Sequence, residues 1–567
     1  MIRPRRPVTR DWPRRCAPGP CGQPAGLARW RLSHALEVAA ITTILALLLG
    51  TGLAAAGDTL VAEPSPDLDG LKIVSIRIIR HNIFDTSDPA TSAWPYRAAN
   101  ALHIVTRKSF IRHALLFHEG DQYSAARAAE SARLLRSWGF LNPVHIEASR
   151  VPGGVEVTVE TRDLWTLEVG GEAGLAGHRN RYGFSITENN LLGLGRTADI
   201  TYRSEPERDS WTYTYFDPFL LGRKWQATIK HEDSTDGFTD TWHVERPFYS
   251  LADKATFGAE WSRVQLIDHL YSDGDVVVSG VNDVRAWRVW GGVRLPGDHD
   301  ITRRLTVGFD HHSQRFADWH MEDTGAPYQD PENLLVDGLR FAYQQIPDRF
   351  LVLRGFRAWS VQEDVGLGPT FNIALTTSLP AFGGDVRRFL LDSDLSLAHR
   401  SGNWLLLGRS WLSGRQDPTG PRNVRAGFQV AAAQIGRRGW QGRLLVENSW
   451  RPDRNTQLTL GTDVGLRGWD PDTFDGSGRA VLNVQYRALL MEDVLHFFSI
   501  GFVGFVDAGA TWRPRVGRDT DGIRKDAGVG LLVDLPRIGL AHLLRIEIAF
   551  PDDGSGFVAT LTTAALF

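Results

Sequence analysis

The sequence predicts a mainly-β fold: a transmembrane antiparallel β-barrel of about 16 strands, preceded by one small α+β domain. Three observations support this prediction. The chain begins with a basic and then apolar segment that is typical of exported proteins. No later run of 18 apolar residues occurs, so any later membrane crossing has to use β-strands. Residues 164–567 alternate apolar and polar positions in many short stretches.

The first 56 residues contain the three parts of a secretory signal peptide. Arginines crowd residues 1–34, an apolar stretch follows at residues 38–53, and three alanines at 54–56 supply small residues for cleavage. We therefore predict a signal peptide at residues 1–56, a mature chain that starts at Gly57, and a linker at residues 57–70. A retained membrane anchor is the alternative.

Composition and charge exclude several classes of protein. The chain is 42% apolar and 23% charged, as expected of a folded protein rather than a disordered one. Residues 1–56 hold 8 basic and 2 acidic residues, so their removal would change the net charge from −3 to −9 and argue against a nucleic-acid partner. The 19 tryptophans fit a membrane interface, although a Trp-rich core is the alternative. Cys16 and Cys21 stand alone, so no metal site is predicted.

Residues 71–163 predict the small α+β domain. A strand is expected at residues 72–80, where Val74, Ile76 and Ile78 share a face. A helix is expected at residues 121–138, with Asp121 as its cap and Gly139 at its end. Another helix near residues 108–117 and two strands, at residues 144–148 and 155–159, complete the order β-α-α-β-β. Residues 86–105 are interpreted as an insertion.

Residues 164–567 predict the barrel. Segments of this region place apolar and aromatic residues on one face and polar residues on the other, as in Trp211-Thr212-Tyr213-Thr214-Tyr215. In a membrane barrel the apolar face contacts lipid and the polar face lines a wet lumen. At about 25 residues per strand the length allows about 16 strands. Residues 557–567 end on the aromatic Phe567, which resembles the assembly signal of outer-membrane barrels.

Four short motifs resemble those of the outer-membrane assembly superfamily that includes BamA, TamA and the two-partner secretion transporters. An N-L-x-G-x-G turn, a V-R-G-F/Y loop tip, a G-F-x-D-x-G strand and a G-x-G-x strand are matched, in that order, by residues 190–195, 465–469, 504–509 and 528–531. Leu466 and Trp469 depart from the loop-tip pattern. The segment at 71–163 resembles a POTRA (polypeptide-transport-associated) domain.

The resemblance implies a loop latch. The period of two places Phe505 and Asp507 on one face of a strand, and an aspartate does not face lipid cheaply, so that face is expected to line the lumen. Arg467 lies between glycines in a segment able to fold back tightly. In the resembled family the matching arginine pairs with the matching aspartate. The predicted site residues are, for the latch, Arg467, Gly468, Trp469 and Asp507, and, in support, Phe505, Gly509, Gly193, Gly195 and the terminal Phe567.

The resemblance further implies a factor that inserts client proteins into the outer membrane or exports them across it. Unfolded client polypeptides would bind the POTRA-like domain in the periplasm, with outer-membrane lipid and accessory periplasmic proteins as further partners. No cofactor and no catalysis are expected, since no nucleophile and base are paired in the sequence. The alternative is a passive or structural pore. His311, His312 and His320 are interpreted as part of a solvated loop and not as metal ligands.

Overall fold

The computed structural model describes residues 66–176, 180–297, 300–514, 522–539 and 543–563. The predicted signal peptide, most of the linker and the terminal Phe567 lie outside the described residues. The described chain forms an N-terminal α/β domain followed by a barrel. Among the described residues, no helix is long and apolar enough to span a membrane.

The N-terminal domain is a three-stranded sheet covered by helices. Its elements are β1 (Ile73–His81), α1 (Trp94–Leu102), α2 (Lys108–Ala114), α3 (Ala125–Ser137), β2 (Leu141–Val151) and β3 (Gly154–Asp163). The sheet order is β1-β3-β2, with β1 parallel to β3 and β2 antiparallel to it. The alternating Val155, Val157 and Val159 of the central strand are fully buried against the helices.

Two details of this domain differ from the sequence prediction. The long helix begins at Ala125, and the hydroxyl of Ser124 accepts the cap hydrogen bond from the N–H of Arg127, so Asp121 is not the cap. The main-chain carbonyl of Asp121 instead accepts from the N–H of Ile73 at 2.8 Å, because residues 120–123 run beside residues 71–73. The expected insertion contains α1, a third helix that the prediction omitted.

The barrel has 20 antiparallel strands, so the prediction of about 16 is wrong. Its strands are β4 (Leu167–Ala176), β5 (Arg181–Leu191), β6 (Arg196–Ser204), β7 (Asp209–Asp217), β8 (Gln226–Ser234), β9 (Gly237–Arg246), β10 (Ala255–Ser272), β11 (Asp275–Arg294), β12 (Ile301–Met321), β13 (Leu334–Pro347), β16 (Gly368–Ser378), β17 (Arg388–Ser401), β18 (Trp404–Asp417), β19 (Gly420–Gln434), β20 (Arg438–Trp450), β23 (Gly478–Val494), β24 (Phe498–Trp512), β25 (Arg524–Asp534), β26 (Leu543–Pro551) and β27 (Val558–Thr562). Two short hairpins lie between barrel strands, namely β14 (Phe350–Leu353) with β15 (Glu363–Gly366), and β21 (Leu458–Leu460) with β22 (Phe474–Gly476).

Tight turns explain the larger strand number. Asp273 and Gly274 alone join β10 to β11, and both have positive φ, at 53° and 81°. Such two-residue turns match the twist of paired strands and shorten the chain needed for each strand. The three histidines at 311, 312 and 320 lie on β12 and not in a loop, because that strand is 21 residues long.

The two faces of the strands follow the predicted alternation. On β7 the outward Trp211 and Tyr213 are exposed, whereas Thr212 between them is buried. On β23 the inward Asn483 and Gln485 are buried and the outward Leu482 is exposed. The barrel therefore has an apolar outer surface and a polar interior, as a membrane barrel requires. We call the end where the N-terminal domain lies the domain end, and the opposite end the far end.

Candidate functional site

A long connection from the far end folds into the barrel. Residues 451–477 join β20 to β23 and contain the β21–β22 hairpin. The tip, at residues 465–469, holds buried Leu466, Arg467 and Trp469. Leu466 and Trp469 pack with Leu445 and Val481 of the barrel wall, so the tip is fixed by apolar contacts as well as by polar ones.

Arg467 and Asp507 form a buried, two-pronged ion pair inside the barrel. The Nε of Arg467 donates to Oδ2 of Asp507 at 2.8 Å, and Nη2 donates to Oδ1 at 2.9 Å. Only 7% of Arg467 and 3% of Asp507 is exposed. The planar guanidinium matches a carboxylate in this arrangement, which gives both strength and direction.

The same guanidinium reaches two other barrel strands. Its Nη1 donates to Gln485 on β23 at 3.1 Å and to Glu547 on β26 at 3.3 Å. Asn483 on β23 donates to Asp507 at 2.7 Å and to the carbonyl of Gly465 at 2.5 Å. One loop residue thus connects β23, β24 and β26, and the buried charges of Arg467, Asp507 and Glu547 are paired with one another, as burial demands.

Four other predicted site residues lie around this contact. The ring of Phe505 lies beneath the Arg467 guanidinium, whose central carbon is 3.5 Å from the ring centroid. A Cβ added at Gly468 would come within 2.5 Å of the Cβ of Asp526, so a side chain is excluded at that position. A Cβ at Gly509 would come within 2.9 Å of Leu460 in the loop. The Trp469 indole donates to the carbonyl of Lys525 at 3.2 Å.

Gly193 and Gly195 lie elsewhere, in the β5–β6 turn at the domain end. Both have positive φ, at 72° and 67°. The carbonyl of Gly193 accepts from the N–H of Arg107 in the N-terminal domain at 2.8 Å. A Cβ at Gly195 would lie 2.1 Å from the ring of Phe110 on α2. These glycines therefore allow the turn to approach the domain closely and are not part of the Arg467 group.

Other turns of the domain end also contact the N-terminal domain. Phe219, from the β7–β8 turn, is part of the domain's own apolar core and lies 5.4 Å from the ring of Phe110. Glu130 on α3 accepts from the N–H of Leu251 at 2.6 Å. Burial raises the pKa of the Glu130 carboxyl above its usual value, and the Leu251 hydrogen bond opposes that shift. The hydroxyl of Tyr96 donates to the carbonyl of residue 495 at 3.0 Å.

A second insertion into the barrel was not predicted from the sequence. Residues 348–367, here called the inserted segment, join β13 to β16 at the domain end and contain the β14–β15 hairpin. Arg354-Gly355-Phe356 in this segment repeats the R-G-aromatic pattern of the loop tip, as does Arg438-Gly439-Trp440 on β20. The repeated R-G-aromatic pattern was the feature of the sequence that could have pointed to this insertion. Within the described residues, no group of three or more His, Cys, Asp or Glu side chains could hold a metal ion.

The closed barrel, its apolar outer face and its polar lumen define an outer-membrane β-barrel protein with a small N-terminal domain. Over 95 residues the chain is 34% identical to the outer membrane protein assembly factor BamA of Neorickettsia risticii, which confirms the predicted resemblance to the BamA-type superfamily. That match covers 16% of the chain, and the chain spans 12% of the length of the relative. No protein-family model matches the chain.

Three solved structures similar to this chain are the following. BamA from Haemophilus ducreyi lacking POTRA domains 1–3 is 14% identical, with a TM-score of 0.37 and coverage of 86% of this chain and 84% of that one. CdiB from Acinetobacter baumannii is 10% identical, with a TM-score of 0.43 and coverage of 87% and 73%. CdiB from Escherichia coli is 13% identical, with a TM-score of 0.41 and coverage of 87% and 76%.

Proposed function

We propose that this protein inserts client proteins into the outer membrane or exports them across it. The observation that carries the proposal is the closure of the barrel by its first and last described strands, β4 and β27, next to the wall that Arg467 ties to the loop. Ala173 and Leu561 are among the aligned residues of this closing ladder. Opening it would break the main-chain hydrogen bonds between the two strands.

An opened closure would expose the edge of β4. A free strand edge presents unpaired N–H and C=O groups that an extended segment of another chain is able to match. A client strand would pair there by main-chain hydrogen bonds and leave for the bilayer as its own barrel closes. The driving force would be the burial and pairing of the client itself, so the proposal needs no cofactor and no catalytic step.

The latched loop has a place in this proposal. Arg467 ties the loop to Asp507 on β24 and to Glu547 on β26, and β26 pairs with the closing strand β27. The loop therefore supports the wall next to the closure. The role of Gly468, Trp469, Phe505 and Gly509 would be to seat the loop against this wall.

The N-terminal domain would receive clients on the periplasmic side. In the described sheet β2 pairs with β3 alone, which leaves its other edge available for an extended polypeptide. We propose that residues 71–163 are a POTRA-like domain, that the domain end faces the periplasm, and that accessory periplasmic proteins deliver clients to it. Residues 164–567 would form the barrel unit.

A disulfide across the closure tests the proposal. Ala173 and Leu561 are aligned partners on β4 and β27, and no cysteine occurs after Cys21. Opposite residues of antiparallel strands are close enough for a disulfide. Oxidation of an Ala173→Cys, Leu561→Cys variant should block client insertion in a depleted strain, and a reductant should restore it.

The matched control places the same disulfide in a long ladder. Ala259 and Val289 are aligned partners on β10 and β11, and Ala259→Cys, Val289→Cys should leave activity unchanged when oxidised. Full activity of the oxidised closure variant would contradict the proposal. A passive pore would instead keep its solute conductance and show no effect on other outer-membrane proteins in either variant.

A further inference from the structure

The inserted segment is much longer than a strand connection requires. Two residues suffice between β17 and β18 at the same end, whereas residues 348–367 separate β13 from β16. Its middle part, residues 355–360, is largely buried against the inner wall of the barrel. A long connection that is ordered and buried usually has a function of its own.

Two buried charges of the barrel wall hold this segment by its backbone. Arg487 on β23 donates to the carbonyls of Gly355 at 2.7 Å and Arg357 at 2.8 Å, and also to that of Phe356. Asp534 on β25 accepts from the N–H groups of Trp359 at 2.8 Å and Ser360 at 3.0 Å. Buried ions normally require partners, and here the partners are main-chain groups of the inserted segment.

Apolar contacts extend the segment across the wall. Phe356 packs with Leu405 on β18 and Ala433 on β19. Trp359 packs with Val503 on β24 and Leu532 on β25. A side chain at Gly501 is excluded, because its Cβ would lie 2.2 Å from the Trp359 indole. The segment therefore lines the lumen from β18 to β25 near the domain end.

The segment and the loop from the far end reach the same apolar cluster of the barrel wall. Trp359 and Phe505 both belong to this cluster, and the ring of Phe505 lies beneath the guanidinium of Arg467. The two insertions, one from each end of the barrel, are therefore connected through the side chains of this cluster.

The N-terminal domain holds the other side of the segment. Arg136 on α3 makes a two-pronged ion pair with Asp364, with both N–O distances at 2.7 Å. The amide of Asn142 donates to the carbonyl of Gln362 at 3.0 Å. The guanidinium of Arg133 lies 4.0 Å from the ring centroid of Phe350.

We infer that the inserted segment is a plug that closes the lumen to ions and small solutes, and that the N-terminal domain keeps it closed through the Arg136–Asp364 pair. The domain contacts several turns of the domain end, and the segment lines the lumen from β18 to β25. Movement of the domain away from the barrel would remove the Asp364 contact and leave the segment held by the barrel wall alone, through Arg487 and Asp534. The inference does not depend on the proposed client activity, because it concerns conductance alone.

Single-channel conductance of the purified full chain in planar bilayers tests this inference. The wild type should be closed for most of the recording. Arg136→Ala and Asp364→Ala should each raise the fraction of time spent conducting by about tenfold, which corresponds to about 1.4 kcal/mol. The double variant should match the single ones, and the exchange Arg136→Asp with Asp364→Arg should restore closure in part. Arg127→Ala is the matched control and should behave as the wild type, because this arginine of the same helix donates to the carbonyl of Gln122 within the domain.

A second variant tests the plug directly. Replacing residues 350–366 by a short Gly-Ser turn should give a steadily conducting barrel, with folding checked by the heat-dependent shift on a detergent gel. A folded variant whose conductance equals that of the wild type overturns the inference. A steadily conducting wild type overturns it as well. If the shortened chain does not fold, wild-type conductance in both Arg136→Ala and Asp364→Ala overturns the inference.

Discussion

Removal of the Arg467 side chain should release the loop without opening the barrel. Breaking a buried ion pair by deleting one partner costs about 3–5 kcal/mol, because a buried charge is left behind. Here the cost should fall at the lower end, about 3 kcal/mol. Asn483 still donates to Asp507 at 2.7 Å, and Arg545 still donates to Glu547 at 2.6 Å. In Arg467→Ala the open loop should therefore be about 100-fold more populated.

Limited proteolysis of the loop measures this population. Cleavage of a transiently opened segment follows the equilibrium population of the open form when opening is fast. The protease should not depend on arginine, so that the substitution does not remove its cleavage site. We expect residues 451–477 of Arg467→Ala to be cut about 100-fold faster than in the wild type, with the heat-dependent gel shift of the barrel retained.

An exposed ion pair of the same lumen provides the control. Arg409 donates to Asp394 at 2.6 Å, but 62% of the Arg409 side chain is exposed. Such pairs contribute about 0–1 kcal/mol, so Arg409→Ala should change loop cleavage little. A double-mutant cycle with Asp507→Ala should show coupling of more than about 1 kcal/mol between positions 467 and 507. Equal cleavage rates in Arg467→Ala and the wild type, or an equal effect in Arg409→Ala, would refute the reasoning.

Three further predictions concern the domain end. Gly195→Ala should weaken the contact between the N-terminal domain and the barrel, because the added Cβ would lie 2.1 Å from the ring of Phe110. Gly222→Ala is the control, since Gly222 has a similar φ of 69° but open space around its Cβ position. Faster cleavage at residues 164–166 by a broad-specificity protease is expected in Gly195→Ala only. Because burial raises the pKa of the Glu130 carboxyl, the contact between the N-terminal domain and the barrel should be strongest below the ordinary carboxyl pKa. It should weaken as the pH rises through the raised pKa of Glu130. Glu130→Gln should remove this pH dependence, measured by the same protease cleavage at residues 164–166. Residues 71–163 should fold alone, since nearly all of the domain core is their own, and a random-coil circular dichroism spectrum would contradict this.

Local patterns predicted much of the fold. The period of two in the strands correctly assigned Trp211 and Tyr213 to the outer face and Thr212 to the lumen, because burial on one face fixes the alternation. The same argument placed Asp507 inside, where the structure pairs it with Arg467. The predicted number of strands was wrong because it depended on an assumed length of the turns between strands. Some turns are as short as the two residues Asp273 and Gly274, so the same chain forms more strands than expected.

Contacts between distant parts of the chain were not predictable in this way. Arg487 is one of many arginines in the sequence, and its carbonyl partners lie about 130 residues earlier in the chain. Arg136 and Asp364 are similarly remote from one another, at a separation of 228 residues in the chain. The cap of α3 was misplaced because Asp121 and Ser124 are both good cap residues, and the pairing of residues 120–123 with residues 71–73 decides between them.

The central claim is that this barrel assembles or exports other proteins. The most direct measurement is quantitative comparison of the outer-membrane and secreted proteomes before and after depletion of the protein, with rescue by the wild type and by Arg467→Ala. Depletion should cause loss of other outer-membrane barrels or of one secreted protein, with full rescue by the wild type and impaired rescue by Arg467→Ala. Unchanged proteomes after depletion, with only solute uptake altered, would contradict it.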